Sequence, residues 1–271
     1  MANLVVAAGV PHPPRLLREI EDSREPIRAE SLMLQVRQYI ENASPDVIIE
    51  IDTDHFVNFF LDNMPTFCVG IADEAKGPQE IWCPMPYYTV KIDVALATGL
   101  LRFGLKSNFD LASAEELRLD HSMMVPLHFL NPGMAIPVVP FYINGFSSPT
   151  PTSQRCFAVG KMIRRFIDQW DDNTRVAVIA SGCFAMDVGG PLRGWVDKEW
   201  ESTIAELLKL GKYQSIVRRA TAERMQYAGN NSAELLNWIA LTGVVGNNVP
   251  LYVETDEGSG YAVWDLDGGT K

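Results

Sequence analysis

Basic residues are scarce in this sequence: 23 lysines and arginines stand against 34 aspartates and glutamates, for a formal net charge of -11. No basic patch alternates with aromatic residues, so neither a nucleic acid nor an anionic membrane is an expected partner, because phosphate groups are bound by clustered cations. No run of about 18 apolar residues occurs, which excludes a membrane-spanning helix. The first residues lack a basic segment before their short apolar run, and we expect a core strand there rather than a signal peptide.

Cysteines are also few, and they show no pairing pattern. Cys68, Cys83, Cys156 and Cys183 are far apart and form no CxxC pair, so a reduced, cytoplasmic setting is expected rather than a disulfide framework. Neither a GxGxxG nor a GxxxxGK[ST] loop follows a predicted strand, which argues against a nucleotide site. There is no GxSxG motif, and a serine hydrolase is therefore weakly supported.

The pattern of apolar residues indicates the fold class. The chain has 271 residues, 47% of them hydrophobic, and no Pro-, Gly- or Ser-rich linker divides it. Short buried runs alternate with amphipathic stretches, which predicts an α/β fold: a single domain, residues 1–271, with a central mixed β-sheet flanked by helices on both faces. The predicted strands are 4–8, 46–56, 65–71, 134–144 and 175–181, with a C-terminal pair at 252–253 and 261–266. The predicted helices are 16–42, 94–103, 156–170, 195–210 and 232–241, and the tail after Asp265 is expected to fray.

Only four histidines are present, and two of them follow predicted strands. His12 comes after the first strand and His55 ends the second, at the strand ends where catalytic groups collect in α/β folds. Two neutral imidazoles and one carboxylate form the facial triad that holds non-haem Fe(II) with open positions. Spacing alone does not choose the carboxylate. The eligible residues are Glu234, Asp52, Asp54 and Glu254.

Simpler interpretations exist for the same residues. A histidine at a strand end is more often a hydrogen-bonded structural residue than a ligand. The stretch from Asp120 to His128 could be a loop in which Asp120 holds His121, and the nearby methionines could be core. Glu234 could be an acid in the first turn of a helix, where the helix dipole favours it.

Several longer motifs occur in order along the chain. They are P-H-P-P at His12, D-T-D-H-F at His55, L-D-H-S-M-M-V-P-L at His121, S-G-C-F-A-M-D-V-G-G-P from Ser181, and A-E-L-L-N-W-I at Glu234. In their order and spacing these motifs resemble the class III extradiol ring-cleavage dioxygenases, the family of the protocatechuate 4,5-dioxygenase β subunit. The resemblance runs nearly end to end.

The resemblance implies roles for individual residues. His12, His55 and Glu234 correspond to the Fe(II) ligands of the family, and His121 corresponds to a pocket histidine near substrate and dioxygen. In active members the loop that begins at Ser181 has roughly the sequence S-G-G-x-S-H, and its final histidine is the acid/base. This sequence has Met186 at that position.

The family chemistry explains why this substitution matters. The iron takes a catechol or aminophenol through two adjacent heteroatoms, and dioxygen occupies the remaining position. A base removes a substrate proton and an acid assists ring opening, and such help contributes about 10²–10⁴-fold in rate. A thioether has no ionisable proton, so Met186 cannot give this help. His121 and Asp187 are the remaining candidates for a proton carrier.

Within the family, the 2-aminophenol 1,6-dioxygenases consist of two homologous chains. The length and Met186 make this sequence most like their α subunit, which is non-catalytic. The resemblance then implies an α2β2 heterotetramer with a homologous catalytic β subunit, a substrate of the 2-aminophenol or catechol type with O2, and Fe(II) in the holoenzyme. Whether this chain itself binds iron is left open.

Two alternatives remain. One is a self-sufficient Fe(II) extradiol-type dioxygenase that cleaves catechols or 2-aminophenols, with His121 as its proton carrier. The other is a small-molecule binding or hydrolytic protein whose histidines are structural.

Overall fold

A computed structural model of the chain describes residues 1–266; the fraying expected for the tail falls mainly on residues 267–271, outside the described part. Ten strands are described in these residues. They are β1 (Asn3–Val10), β2 (Val47–Asp52), β3 (Phe67–Gly70), β4 (Glu74–Gly77), β5 (Tyr88–Lys91), β6 (Ala112–Ala114), β7 (Val138–Ile143), β8 (Arg175–Ser181), β9 (Tyr252–Asp256) and β10 (Ser259–Asp265).

Eight of these strands form one mixed sheet in the order β6-β3-β7-β2-β8-β1-β10-β9, and β4 and β5 form a separate antiparallel ribbon. The four central strands, β7, β2, β8 and β1, run parallel to one another. Their residues are buried almost without interruption, as expected for parallel strands covered on both faces. Because they are parallel, their carboxyl ends lie at one edge of the sheet, and the loops that follow them meet there.

Nine α-helices are described in residues 1–266. They are α1 (Leu16–Asp22), α2 (Arg28–Ala43), α3 (Val94–Lys106), α4 (His121–Leu130), α5 (Ser153–Gln169), α6 (Lys198–Lys209), α7 (Tyr213–Arg219), α8 (Ala222–Ala228) and α9 (Leu235–Val245). Helices pack on the sheet from both sides, which confirms the predicted fold class. Within the described part of the chain, no helix combines the length and apolarity needed to cross a bilayer.

Differences from the predicted elements have local causes. The helix expected over 16–42 is two helices, because Pro26 lies in the break between them and proline disfavours a helical residue before it. The strand expected from Met134 begins only at Val138, after a short 3₁₀ turn. The stretch from Asp120, which could have been a loop, is the helix α4, whose N-terminus is capped by the Asp120 carboxylate.

The last helix is held close to its neighbour by a glycine. A Cβ at Gly160 of α5 would lie within van der Waals overlap of the Ala240 carbonyl in α9, so the two helices approach more closely than any larger residue would allow. The contact fixes α9 against the sheet. Glu234 immediately precedes α9, and its position therefore depends on this packing.

One carboxyl group lies inside the core. Glu50 in β2 is fully buried, and within residues 1–266 neither of its carboxyl oxygens has a hydrogen-bond partner. Burial raises the pKa of Glu50 well above its ordinary value, with further contributions from Asp52 and Asp120. An acid whose pKa is raised on folding stabilises the fold fully below its unfolded pKa, and this stabilisation is lost as the pH rises through the folded-state pKa.

We therefore expect Glu50→Gln to flatten the pH dependence of stability of the metal-free chain. Above about pH 5, and until the pH passes the raised pKa of Glu50, the free energy of unfolding of the wild type should fall by up to about 1.4 kcal/mol per pH unit more than that of the variant. Urea unfolding across this range measures the difference. Glu199→Gln, an exposed change of the same kind, is the control, and equal slopes for wild type and Glu50→Gln would contradict the burial of an ionisable group here.

Candidate metal centre and cavity

A cavity of about 700 Å³ lies at the carboxyl edge of the central strands. His12 follows β1, His55 follows β2, and the segment with Met186 follows β8, so three loops bring their side chains to the same place. His121 at the start of α4 and Glu234 before α9 complete the wall. The five positions to which the resemblance assigns roles, His12, His55, His121, Met186 and Glu234, therefore line one cavity.

Two imidazoles converge on a single carboxylate oxygen. Nε2 of His12 lies 3.1 Å from Oε1 of Glu234, and Nε2 of His55 lies 3.4 Å from the same atom. The other oxygen, Oε2, accepts the backbone N–H of Cys183 at 3.0 Å. Glu234 is thus fixed by the loop after β8 and turns one oxygen towards both histidines.

The tautomers of both histidines follow from their outer contacts. Nδ1–H of His12 donates to Oγ of Ser181 at 2.6 Å, because this hydroxyl itself donates to the Ser122 carbonyl. Nδ1–H of His55 donates to the Thr53 carbonyl at 3.0 Å. Each Nε2 then faces Glu234, where it can donate a proton to the carboxylate or, once that proton is displaced, offer its lone pair to a metal ion.

The electrostatics of the cluster favour a cation between these atoms. Burial alone would lower the pKa of His12 and His55, but Glu234 beside both histidines, and Asp120 beside His55, raise the pKa values above the ordinary one. Burial alone would raise the pKa of Glu234, but the two histidines hold it far below its usual range. A fully buried carboxylate is thus anionic and faces two imidazoles that hold their protons more tightly than usual, protons that a bound metal ion would displace.

The donor set fits a divalent transition metal. Ligand atoms held about 2.1 Å from an ion at right angles lie about 3 Å apart, close to the two separations that Glu234 makes. Donor atoms of His12, His55 and His121 also lie within 4.8 Å of one another. His121 therefore stands beside the three converging residues, within reach of a group bound to them.

The other three candidate carboxylates are used elsewhere. Asp52 accepts the backbone N–H of Thr53, and burial raises its pKa to about 7. Asp54 accepts backbone N–H groups of residues 57–59 and so folds the loop that presents His55. Glu254 is an exposed residue of β9 paired with Arg28. The structure places only Glu234 of the four against both histidines.

His121 has a different partner from the one considered in the sequence. Its Nδ1 lies 2.7 Å from Oε1 of Glu80, and the same carboxylate accepts the His121 backbone N–H. Asp120 does not hold His121; its carboxylate caps α4 and accepts the backbone N–H of His55 at 2.6 Å. Sequence reasoning missed Glu80, because it lies 41 residues from His121 in a segment without a regular pattern.

The loop from Ser181 keeps a tight path beside Glu234. Gly182 has a φ of +146°, and a Cβ there would lie 2.6 Å from the Glu234 Cβ, so only glycine permits this approach. Further along, the Met186 carbonyl accepts the backbone N–H of Asn231. The Met186 position faces the cavity, whereas Asp187 is not among the cavity residues. Asp187 therefore does not stand in for the missing histidine within this cavity.

The chain is similar in sequence to proteins of known family. The family model described as "Catalytic LigB subunit of aromatic ring-opening dioxygenase" matches residues 6–261. A gallate dioxygenase of Pseudomonas putida is 26% identical over 182 residues, 66% of this chain and 52% of that protein. A 2,3-dihydroxyphenylpropionate/2,3-dihydroxicinnamic acid 1,2-dioxygenase of Klebsiella pneumoniae is 32% identical over 152 residues, 56% of this chain and 46% of that protein.

The chain thus spans about half the length of these relatives. Among solved structures, an uncharacterised protein of Escherichia coli K12 superposes with a TM-score of 0.59 and 14% identity, over 96% of this chain and 98% of that chain. This likeness concerns the fold alone. The family model, however, extends over nearly the whole chain, and the chain therefore belongs to the family of the catalytic LigB subunit of aromatic ring-opening dioxygenases.

Proposed function

We propose that this chain holds an Fe(II) site of the extradiol, aromatic ring-opening type, with His12, His55 and Glu234 as the metal ligands. The observation that carries the proposal is the convergence of two imidazole nitrogens on one buried carboxylate oxygen, at 3.1 and 3.4 Å, in the wall of a large cavity. Membership of the ring-opening family supports it, as do the relatives named as dioxygenases.

Fe(II), when bound, supplies open positions at which an aromatic ring with two adjacent heteroatoms and dioxygen can react. The proton transfers fall to the protein. His121 is placed to accept a substrate proton, because Glu80 takes its Nδ1–H and leaves the Nε2 lone pair free. Burial lowers the pKa of His121, so the imidazole is neutral and basic at pH 7.

Met186 stands at the position where a second proton carrier is expected. It occupies the cavity wall where the resemblance places a histidine, and its thioether can neither donate nor accept a proton in catalysis. We infer that this chain is the non-catalytic α subunit of a heteromeric 2-aminophenol 1,6-dioxygenase. In this assignment residues 1–271 form one dioxygenase-like domain, and a homologous catalytic β subunit completes a cytoplasmic α2β2 assembly.

A second candidate function rests on His121 and Glu80. The carboxylate fixes both the backbone and the ring of His121, which is the arrangement of an oriented general base. On this view the chain is a self-sufficient dioxygenase, with His121 serving both proton transfers. Turnover by the chain alone separates the two candidates.

For the metal site, we expect the chain to bind one Fe(II) under anaerobic conditions and Glu234→Gln to weaken that binding by more than about tenfold, because a neutral amide replaces the anionic ligand. Anaerobic titration followed by metal analysis gives the affinity and stoichiometry. Glu254→Gln makes the same change on the exposed strand β9 and should leave binding unaltered. Equal iron content in all three proteins would remove Glu234 from the ligand set.

For the missing proton carrier, we expect Met186→His to raise ring cleavage of 2-aminophenol or catechol by the isolated, iron-loaded chain by about 10²–10⁴-fold. The new imidazole supplies the acid/base that the thioether cannot. Met186→Leu keeps an apolar side chain of similar size and should give no gain. Oxygen consumption and product absorbance measure the rates, and robust turnover by the unaltered chain alone would defeat the assignment as an α subunit.

If the chain alone turns over, His121→Ala should reduce the rate by about 10²-fold or more while iron content is retained, since the general base is lost and the ligands are not. His128→Ala is the matched control on the same helix, because His128 contacts Tyr88 outside the cavity. Comparable rates for the two variants would rule out His121 as the proton carrier.

A further inference from the structure

Two aromatic walls lead from the candidate metal centre to the mouth of the cavity. On one side the ring of Phe146 lies 4.8 Å from that of His55, and Phe56 stacks on Phe146 at 6.2 Å. On the other side Trp82 lies 5.3 Å from His121. All of these residues line the same cavity. The path outward from the metal is therefore bordered by the faces and edges of aromatic rings.

The outer part of these walls is exposed to water. Phe56 is 41% exposed, Trp82 57% and Val188 46%, although each is a large apolar side chain. Phe56 also has a φ of +59°, a backbone conformation that is costly for a residue with a Cβ. The Asp54 carboxylate maintains this loop through the backbone N–H groups of residues 57–59. Apolar side chains are thus exposed to water at the mouth of the cavity. The loop keeps Phe56 there in spite of the cost of its backbone conformation.

Apart from its histidines, the described lining of this cavity has no cationic side chain. Of the residues in the described chain, no lysine or arginine lines it, whereas the carboxylates of Glu80 and Glu234 do. The cations near lining segments in sequence are Arg15, Lys76, Arg118 and Arg193, and all four are exposed residues outside the lining. A carboxylate substituent that lies between the aromatic walls, away from His12 and His55, would lose its hydration without gaining a lysine or arginine partner. It would also meet the field of a chain with a net charge of -11.

The cavity is also larger than one ring requires. A volume of about 700 Å³ lies in the range that encloses most of the surface of a drug-sized ligand. A bare catechol or aminophenol would fill only the end beside His12 and His55. The space between Trp82 and Phe56 would stay hydrated, next to apolar surface whose removal from water is favourable.

We propose that the ligand of this site is an uncharged aromatic ring with two adjacent hydroxyl or amino groups that bears an aromatic or alkyl extension, and that rings with a carboxylate substituent are rejected. The ring bearing the heteroatoms lies at the metal end, and its extension lies between the two aromatic walls. This inference rests on the proposed function and narrows the substrate class of the same site.

Anaerobic calorimetric titration of the full chain tests the inference without relying on turnover. The probes are catechol, phenylcatechol, butylcatechol and dihydroxybenzoate, the substituted rings each as the 3- and 4-isomers. We expect phenyl- and butylcatechol to bind at least about tenfold more tightly than catechol, and dihydroxybenzoate at least about tenfold more weakly. Equal or tighter binding of dihydroxybenzoate, or no gain from the extension, would overturn the inference.

Variants assign the effect to the walls and to the charge. Trp82→Ala should reduce the ratio of phenylcatechol affinity to catechol affinity, whereas Tyr227→Ala, an exposed aromatic outside the cavity, should leave that ratio unchanged. Val188→Arg should raise the affinity for dihydroxybenzoate by about tenfold or more through a new ion pair at the mouth, and Val188→Leu should not. Loss of dihydroxybenzoate binding in Arg15→Ala would show a cationic subsite and count against the inference.

The same ratios are measured on the metal-free chain, since the walls and the carboxylates are present in both forms. If the chain takes up no iron and still prefers the extended neutral ring, the proposed metal site fails and the inference stands. Stoichiometric binding of iron and of catechol, with equal affinities for all the probes, would support the metal site and overturn the inference.

Discussion

The site depends on one buried carboxylate. Glu234 has no exposure to solvent, yet it is anionic, because two histidines face one of its oxygens and a backbone N–H holds the other. Such a charge is tolerated inside a protein only when it is compensated. The compensation comes from three separate strand ends, so the arrangement exists only when the parallel centre of the sheet is formed. The candidate metal centre therefore forms only together with the fold.

The second layer of contacts turns this cluster into a candidate metal site. Ser181 and Thr53 accept the Nδ1–H of His12 and His55 and so turn both Nε2 atoms inward. Beside these two histidines, the carboxylate of Glu80 accepts the Nδ1–H of His121 in the same way. Three imidazoles are therefore oriented by residues that never touch the reacting atoms, which is why their positions are defined before any ligand arrives.

Because of Met186, the two walls of the cavity differ in their ability to transfer a proton. One wall has a neutral, oriented imidazole able to accept a proton, and the wall formed by the loop after β8 has a thioether that cannot. Towards solvent the cavity becomes aromatic and lacks cationic side chains among the residues described. An uncharged ring is thus suited to the walls. The thioether at Met186 is the physical basis of the proposal that this chain acts with a partner subunit.

The sequence by itself determined the fold class, the strand cores and the residues that could hold a metal, because alternating apolar runs and strand-end histidines are local signals. The spacing of residues could not choose among Glu234, Asp52, Asp54 and Glu254, since each is an acid near a predicted element; the resemblance indicated Glu234, and only the tertiary structure showed its distance from both histidines. Only the tertiary structure showed that His121 begins a helix and pairs with Glu80. That pairing joins segments far apart in the chain, and long-range contacts of this kind leave no periodic trace in the sequence.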